Sequence, residues 1–118
     1  MKDLLESLNQ VPGVDGSMVI TPDGIMVTAA LGPSLSEDVV AALSSSLMLT
    51  LKRGLEAVGG SEVPEEMILS AVGGKLIFAD LGNAFLVVVT QPNLKLNTDL
   101  VEIRSVARRL RNRCTIGA

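Results

Sequence analysis

The sequence predicts an α/β domain built on an antiparallel sheet, with the element order α-β-β-α-β-β-β-α. Three observations carry this reading: a hairpin signal at Pro22-Asp23-Gly24, a helical apolar pattern without proline from Ser34 to Val58, and three β-rich runs separated by glycine turns between Met67 and Thr90. The 118 residues suffice for one domain, 1–118, whose single core buries roughly two-thirds of the unfolded surface.

Leu4, Leu5 and Leu8 fall at one-turn spacing between Asp3 and Gln10, and Pro12-Gly13 ends the pattern, so a short amphipathic helix comes first. Ser17–Thr21 and Ile25–Thr28 are β-rich and flank Pro22-Asp23-Gly24, where proline presets the turn and glycine accepts the positive φ that closes it. Ser34-Leu35-Ser36-Glu37 has the spacing of a capping box with Ser34 as the cap, and starts a long helix that stops at Gly59-Gly60. Met67–Val72, Lys75–Leu81 and Ala84–Thr90 form a meander through turns at Gly73-Gly74 and Gly82-Asn83. Ala84–Val89 is apolar at every position, which predicts a central strand covered on both faces. Asn97 or Thr98 is expected to cap a last helix in which Leu100, Ile103, Ala107, Leu110 and Cys114 form the buried stripe, while Arg104, Arg108 and Arg111 take other faces.

The composition removes whole classes of chemistry. Without histidine there is no imidazole base, no histidine-dependent triad and no imidazole metal site. The single cysteine, Cys114, can form neither an internal disulfide nor a thiolate cluster, and its place on an apolar stripe suits a packed small hydrophobe. Glu65-Glu66 and Glu37-Asp38 are acid pairs at a loop and a helix start, where solvation and capping account for them. Gly73-Gly74-Lys75-Leu76 lacks the Ser or Thr and the following helix of a phosphate loop. Gly13-Val14-Asp15-Gly16 has the outline of an RNA-clamping GXXG, but an acid at its centre repels phosphate. No catalytic, cofactor-binding or metal residue is therefore expected.

Net charge is −3, yet residues 98–118 hold five arginines against two acids, while residues 1–97 hold five basic against eleven acidic side chains. These arginines suit the negative end of a helix. With no Trp or Tyr and only Phe78 and Phe85 on core strands, base-stacking platforms are missing, so nucleic-acid binding is not expected. The longest strictly apolar run, Ala84–Val89, is far short of the ~18 residues that span a bilayer, so membrane insertion is not expected either. Acids near Met1 replace the basic start of a secretory signal, which gives a cytoplasmic location as the expectation.

One feature requires a partner. On the second helix Val39, Val40, Leu43, Leu47, Met48, Leu51, Leu55 and Val58 span well over half the circumference, more than packing on one sheet uses. Small residues at Ala41, Ala42, Ser44, Ser45, Ser46 and Gly54 let another helix approach, and self-association is the common soluble solution. The run Met67, Ile68, Leu69, Ser70, Ala71 carries no charge and starts the meander, so it is the kind of edge that pairs with another chain. The dimer surface is accordingly assigned to Val40, Leu43, Leu47 and Leu51 of the helix with Met67, Ile68, Leu69, Ser70 and Ala71 of the strand. On the opposite side of the helix, Ser45, Leu49, Lys52, Arg53 and Glu56 gather within about 100°, an exposed leucine with a polar rim, and form the candidate partner-binding stripe.

The lead-in Val11-Pro12-Gly13-Val14-Asp15-Gly16, the Pro22-Asp23-Gly24 hairpin, the long Ser/Ala/Leu helix, the glycine-punctuated meander and the arginine-bearing last helix together resemble the roadblock family, named for a dynein light chain. The resemblance covers nearly the whole chain and points to its bacterial members, which accompany Ras-like small GTPases. It implies the roadblock/profilin-like fold, a five-stranded antiparallel sheet with the second helix on one face and the first and third on the other. It also implies homodimers joined through strand three and the second helix. The expected function is a non-enzymatic homodimeric platform that binds and regulates a Ras-like GTPase, either as activator or as effector. The alternative is a scaffold subunit of a signalling, motility or trafficking complex that leaves GTP turnover unchanged.

Overall fold

A computed structural model describes residues 1–60 and 64–116, with the backbone alone for Leu96 and residues 114–116. The order is α1 (Lys2–Leu8), β1 (Val14–Ile20), β2 (Met26–Leu31), α2 (Glu37–Ala57), β3 (Glu66–Ala71), β4 (Gly74–Asp80), β5 (Phe85–Thr90) and α3 (Leu96–Ile116). The strands form one antiparallel sheet in the order β2-β1-β5-β4-β3. β5, apolar from Phe85 to Val89, is its central strand, as its composition requires: with a helix layer on each face, both sets of alternating side chains must be apolar.

Alternation along the strands divides the core in two. Leu86, Val88, Val19 and Ile77 pack with Leu4, Leu5 and Leu8 of α1 and Leu100, Ile103 and Leu110 of α3. Phe85, Val87, Met18, Ile20 and Phe78 pack with Ala41 and Met48 of α2. Full burial of each large side chain contributes about 2 kcal/mol, so the face shared by two helices is the better stabilised of the two. The side chain of Cys114, assigned to the α3 stripe, lies outside the described residues.

Local chemistry sets the connections. Gly24 N–H donates to Thr21 O at 3.0 Å and Thr21 N–H to Ile25 O at 2.9 Å, with Gly24 at φ +89°. This is the three-residue hairpin in which glycine supplies the left-handed position. The other turns depart slightly from expectation. The β3–β4 turn is Val72-Gly73, and Gly74 already belongs to β4, where a Cβ would lie 2.5 Å from Thr90 O. The cap of α2 is Ser36, whose Oγ accepts from Val39 N–H at 3.4 Å. Ser34 is consumed in a turn closed by Leu35 N–H on Gly32 O. At the other end of α2, Gly60 N–H donates to Leu55 O at 2.7 Å and Gly59 sits at φ +93°, a left-handed helix stop. Asn97 and Thr98 lie inside the first turn of α3, and Asp99 accepts from Lys95 N–H instead.

α1 is tied to the sheet by polar as well as apolar contacts. The buried Ser17 Oγ donates to Asn9 Oδ1 at 2.9 Å, and Asn9 Nδ2 donates to Ala30 O at 2.6 Å. Arg113 near the end of α3 donates to both carboxylate oxygens of Asp3, at 2.9 and 3.3 Å, and so joins the two helices that share one face. That guanidinium, together with the amino terminus, holds the Asp3 carboxyl well below the usual carboxylate range.

Candidate functional site

α2 buries a narrow face: Ala41, Ser44 and Met48, which point at the sheet. Two of the small residues assigned to a partner helix are therefore used internally, because Ala41 and Ser44 let α2 sit close on its own sheet. Ser44 Oγ has no hydrogen-bond partner there although the residue is 1% exposed. Ala42, Ser46 and Gly54 remain at the surface.

On one flank of this face lie Val40, Leu47 and Leu51, half-buried, and Leu43, which is 50% exposed. Val39 and Val58 are exposed as well. Val40 and Leu47 pack against the same buried cluster as Met67 of β3, Leu76 of β4 and Leu31 of β2. β3 is the sheet edge, paired only with β4, in an unbroken register from Glu66↔Ala79 to Ala71↔Gly74. Met67 and Ile68 are half-buried, while Leu69, Ser70 and Ala71 are exposed. Of the residues assigned to a dimer surface, Val40, Leu47 and Met67 pack on the α2 side of the sheet, while Ile68 packs on the α1/α3 side. Burying the open half of Leu43 would stabilise an assembly by about 1 kcal/mol.

The other flank carries the partner stripe. Leu49 is 48% exposed, and Lys52, Arg53 and Glu56 are exposed around it. Among the described residues none of these three charges forms a salt bridge. Ser45 is half-buried against the β1–β2 turn, where a Cβ on Gly24 would come 2.9 Å from its Oγ. Beyond that turn Ile25, Met26 and Val27 are exposed. Sequence reasoning placed these three in an ordinary strand. The signal that could have exposed them is three consecutive apolar residues directly after a turn, a pattern that alternation cannot bury on one face.

The remaining motifs have structural duties. Glu66 accepts two hydrogen bonds from Arg104, at 2.9 and 2.8 Å, which hold its carboxyl below the usual range and bind α3 to the sheet edge. Arg104, Arg108 and Arg111 line a cleft of about 380 Å³ with Glu65, Glu66 and Asp80, so opposite charges balance in it. Asp15 accepts from Gln91 Nε2 at 2.8 Å, and Lys75 Nζ donates to Pro92 O at 3.0 Å. Among the described residues no three acidic, His or Cys groups are placed to hold a metal ion, and no helix is long and apolar enough to cross a membrane.

The model of the Roadblock/LC7 domain matches residues 1–90. The chain belongs to the Roadblock/LC7 family. A roadblock/LC7 domain from Streptomyces avermitilis superposes with a TM-score of 0.86 at 18% identity, covering 98% of each chain. MglB of Myxococcus xanthus superposes at 0.85 with 13% identity, over 96% of this chain and 93% of that one. At such identities the likeness concerns the fold, which is the roadblock/profilin-like fold. Among sequence relatives, an uncharacterised protein of the archaeon Methanocaldococcus jannaschii is 32% identical over 100 residues, 85% of this chain and 82% of the relative.

Proposed function

We propose that this roadblock domain is a cytoplasmic homodimeric platform that binds a Ras-like small GTPase and regulates its nucleotide state, without itself supplying a catalytic side chain. The observation that carries the proposal is the mismatch on α2: the helix buries only Ala41, Ser44 and Met48, yet carries exposed Leu43 on one flank and exposed Leu49 on the other. The Leu43 flank and the open, uncharged β3 edge each suit a second copy. The Leu49 flank has an apolar centre with a charged rim and suits a protein of another kind. Membership of the roadblock family supports a GTPase as that partner, and a two-fold dimer presents the stripe twice.

The test is a titration of a candidate Ras-like small GTPase, loaded with GTP or GDP analogues, into the Leu49→Asp protein. Binding is expected to be abolished, while dimer mass and thermal stability stay within about 0.5 kcal/mol of the parent, because Leu49 is a surface position. Undiminished affinity moves the partner site to the face of α1 and α3.

A further inference from the structure

The three helices are not held to the sheet equally. α1 and α3 bury Leu4, Leu5, Leu8, Leu100, Ile103 and Leu110 against it. Side-chain bonds add to this packing: Asn9 to Ser17 and to Ala30 O, Arg104 to Glu66, and Arg113 between the two helices. α2 runs for 21 residues and buries only Ala41, Ser44 and Met48, of which Met48 alone is large. Beyond Met48 nothing on this helix is buried, and Leu51 and Leu55 are half-buried. Among the described residues no side chain of α2 makes a hydrogen bond or an ion pair with the sheet or with another helix. The hydroxyl that does face the sheet, Ser44 Oγ, is buried without a partner. Such a group opposes docking, because lifting the helix returns it to water.

We propose that α2 is a separately opening element: it lifts from the sheet far more often than the chain unfolds, and the unpaired Ser44 hydroxyl sets how often. The inference goes beyond the homodimer and GTPase readings and depends on neither, since it concerns the helix within the free chain. Lifting uncovers one layer of the core only. Phe78, Phe85 and Val87 lose their cover, while Leu86 and Val88 stay packed under α1 and α3 on the other face. A sheet that keeps its ladders and its larger core layer is a partly folded state, of the kind that opens below the free energy of global unfolding. Once free of tertiary contacts, a helix of this length is marginal in water, so its amides become open to exchange. The device has a closing point. Gly24 of the β1–β2 turn adjoins Ser45, near enough that a Cβ there would come 2.9 Å from the Ser45 Oγ. A ligand that bridges this turn and α2 binds the closed form alone and holds the helix down by that difference.

Thiol labelling reads which face opens. In a Cys114→Ser background, which removes the sole cysteine, Val87→Cys and Val88→Cys place the same substitution at adjacent, fully buried positions of β5, the first under α2 and the second under α1 and α3. Labelling under native conditions, extrapolated to low protein concentration so that any pairing of copies drops out, should be more than about tenfold faster at position 87 than at position 88. A smaller ratio overturns the separate opening. Adding Ser44→Ala to Val87→Cys should slow labelling about tenfold, because the closed form no longer buries an orphaned hydroxyl. Ser46→Ala makes the same change at an exposed position of α2 and should slow labelling by no more than about threefold, through helix propensity alone. Equal slowing by the two overturns the role of the hydroxyl. Hydrogen exchange supplies an arm that needs no substitution: the amides of residues 41–51 should exchange through one shared opening, with a smaller denaturant slope than the amides of β5. Equal slopes would mean that α2 is released only when the whole chain unfolds, which overturns the proposal as well.

Discussion

The two edges of the sheet are opposites in construction. At β2 the register slips between Val19 and Ile20, so that Val19 pairs with Thr28, Ile20 with Met26, and Val27 is left over as a bulge. At β3 six consecutive pairs run without a break, and no charge intervenes from Met67 to Ala71. A bulge bends and over-twists a strand, which spoils it as a template, whereas a regular uncharged edge is the best template a sheet can offer. Exposed apolar residues lie near both edges: Ile25, Met26 and Val27 at one, Leu69 and Val72 at the other. Hydrophobicity therefore does not distinguish them. Backbone regularity does, and it is the reason the proposed homodimer is placed at β3 and not at β2.

The largest effect should come from putting a charge on that template. Leu69→Lys is expected to convert the dimer to monomer at micromolar concentration, a weakening of at least a hundredfold in sedimentation, because each junction would bury two unpaired ammonium groups. The fold should survive, since the side chain is 38% exposed in the single chain. A stable Leu69→Lys dimer would remove β3 from the interface. Next in size is the reverse experiment on β2. Deleting Val27 removes the extra residue and straightens the edge, and higher-order association should then appear by light scattering at concentrations where the parent is a uniform dimer. An unchanged scattering mass would mean that something other than the bulge protects β2.

Legibility followed locality. The Pro22-Asp23-Gly24 turn, the buried strand β5 and the α3 stripe could be read because each depends on residues a few positions apart. The cap of α2 could not be settled, since Ser34 and Ser36 both stand before Glu37 and a turn at Gly32–Leu35 decided for Ser36. The bulge at Val27 arises from pairing with β1, and nothing in Ile25-Met26-Val27 announces it. For the candidate site, the helical wheel correctly separated Leu49 from the sheet-facing side of α2. It gave Ala41 and Ser44 to a partner helix, whereas their small size lets α2 sit close on its own sheet, and Ser44 is buried there with its hydroxyl unpaired.

The smallest effect concerns acid. Glu66 sits on β3, and Arg104 lowers its pKa from an ordinary value of 4.5. A carboxylate depressed in the folded state adds stability that is complete above the unfolded value and is lost as pH falls through the folded one. Thermal melts should therefore show the parent and Glu66→Gln converging as pH drops below 4.5, from a difference of about 0.5 kcal/mol at neutral pH, as expected for a pair whose arginine is more than half exposed to solvent. Equal stability at neutral pH would show that Arg104 contributes no tether to the β3 edge.

The clamp between Arg113 and Asp3 spans 110 residues of chain. During synthesis α1, the five strands and α2 precede α3, so until α3 packs, α1 has its sheet contacts but lacks the helix that completes its face. Leu81, Leu86 and Ile77 are then covered only in part. At a translation rate of about 5–20 residues per second, α3 follows β5 by a few seconds at most, and for that interval the nascent chain presents both a regular strand edge and an incomplete apolar face. Subunits that paired on one polysome would do so before the wall of the cleft was in place. The order of elements along this chain thus leaves the face under α1 to be completed last, by α3.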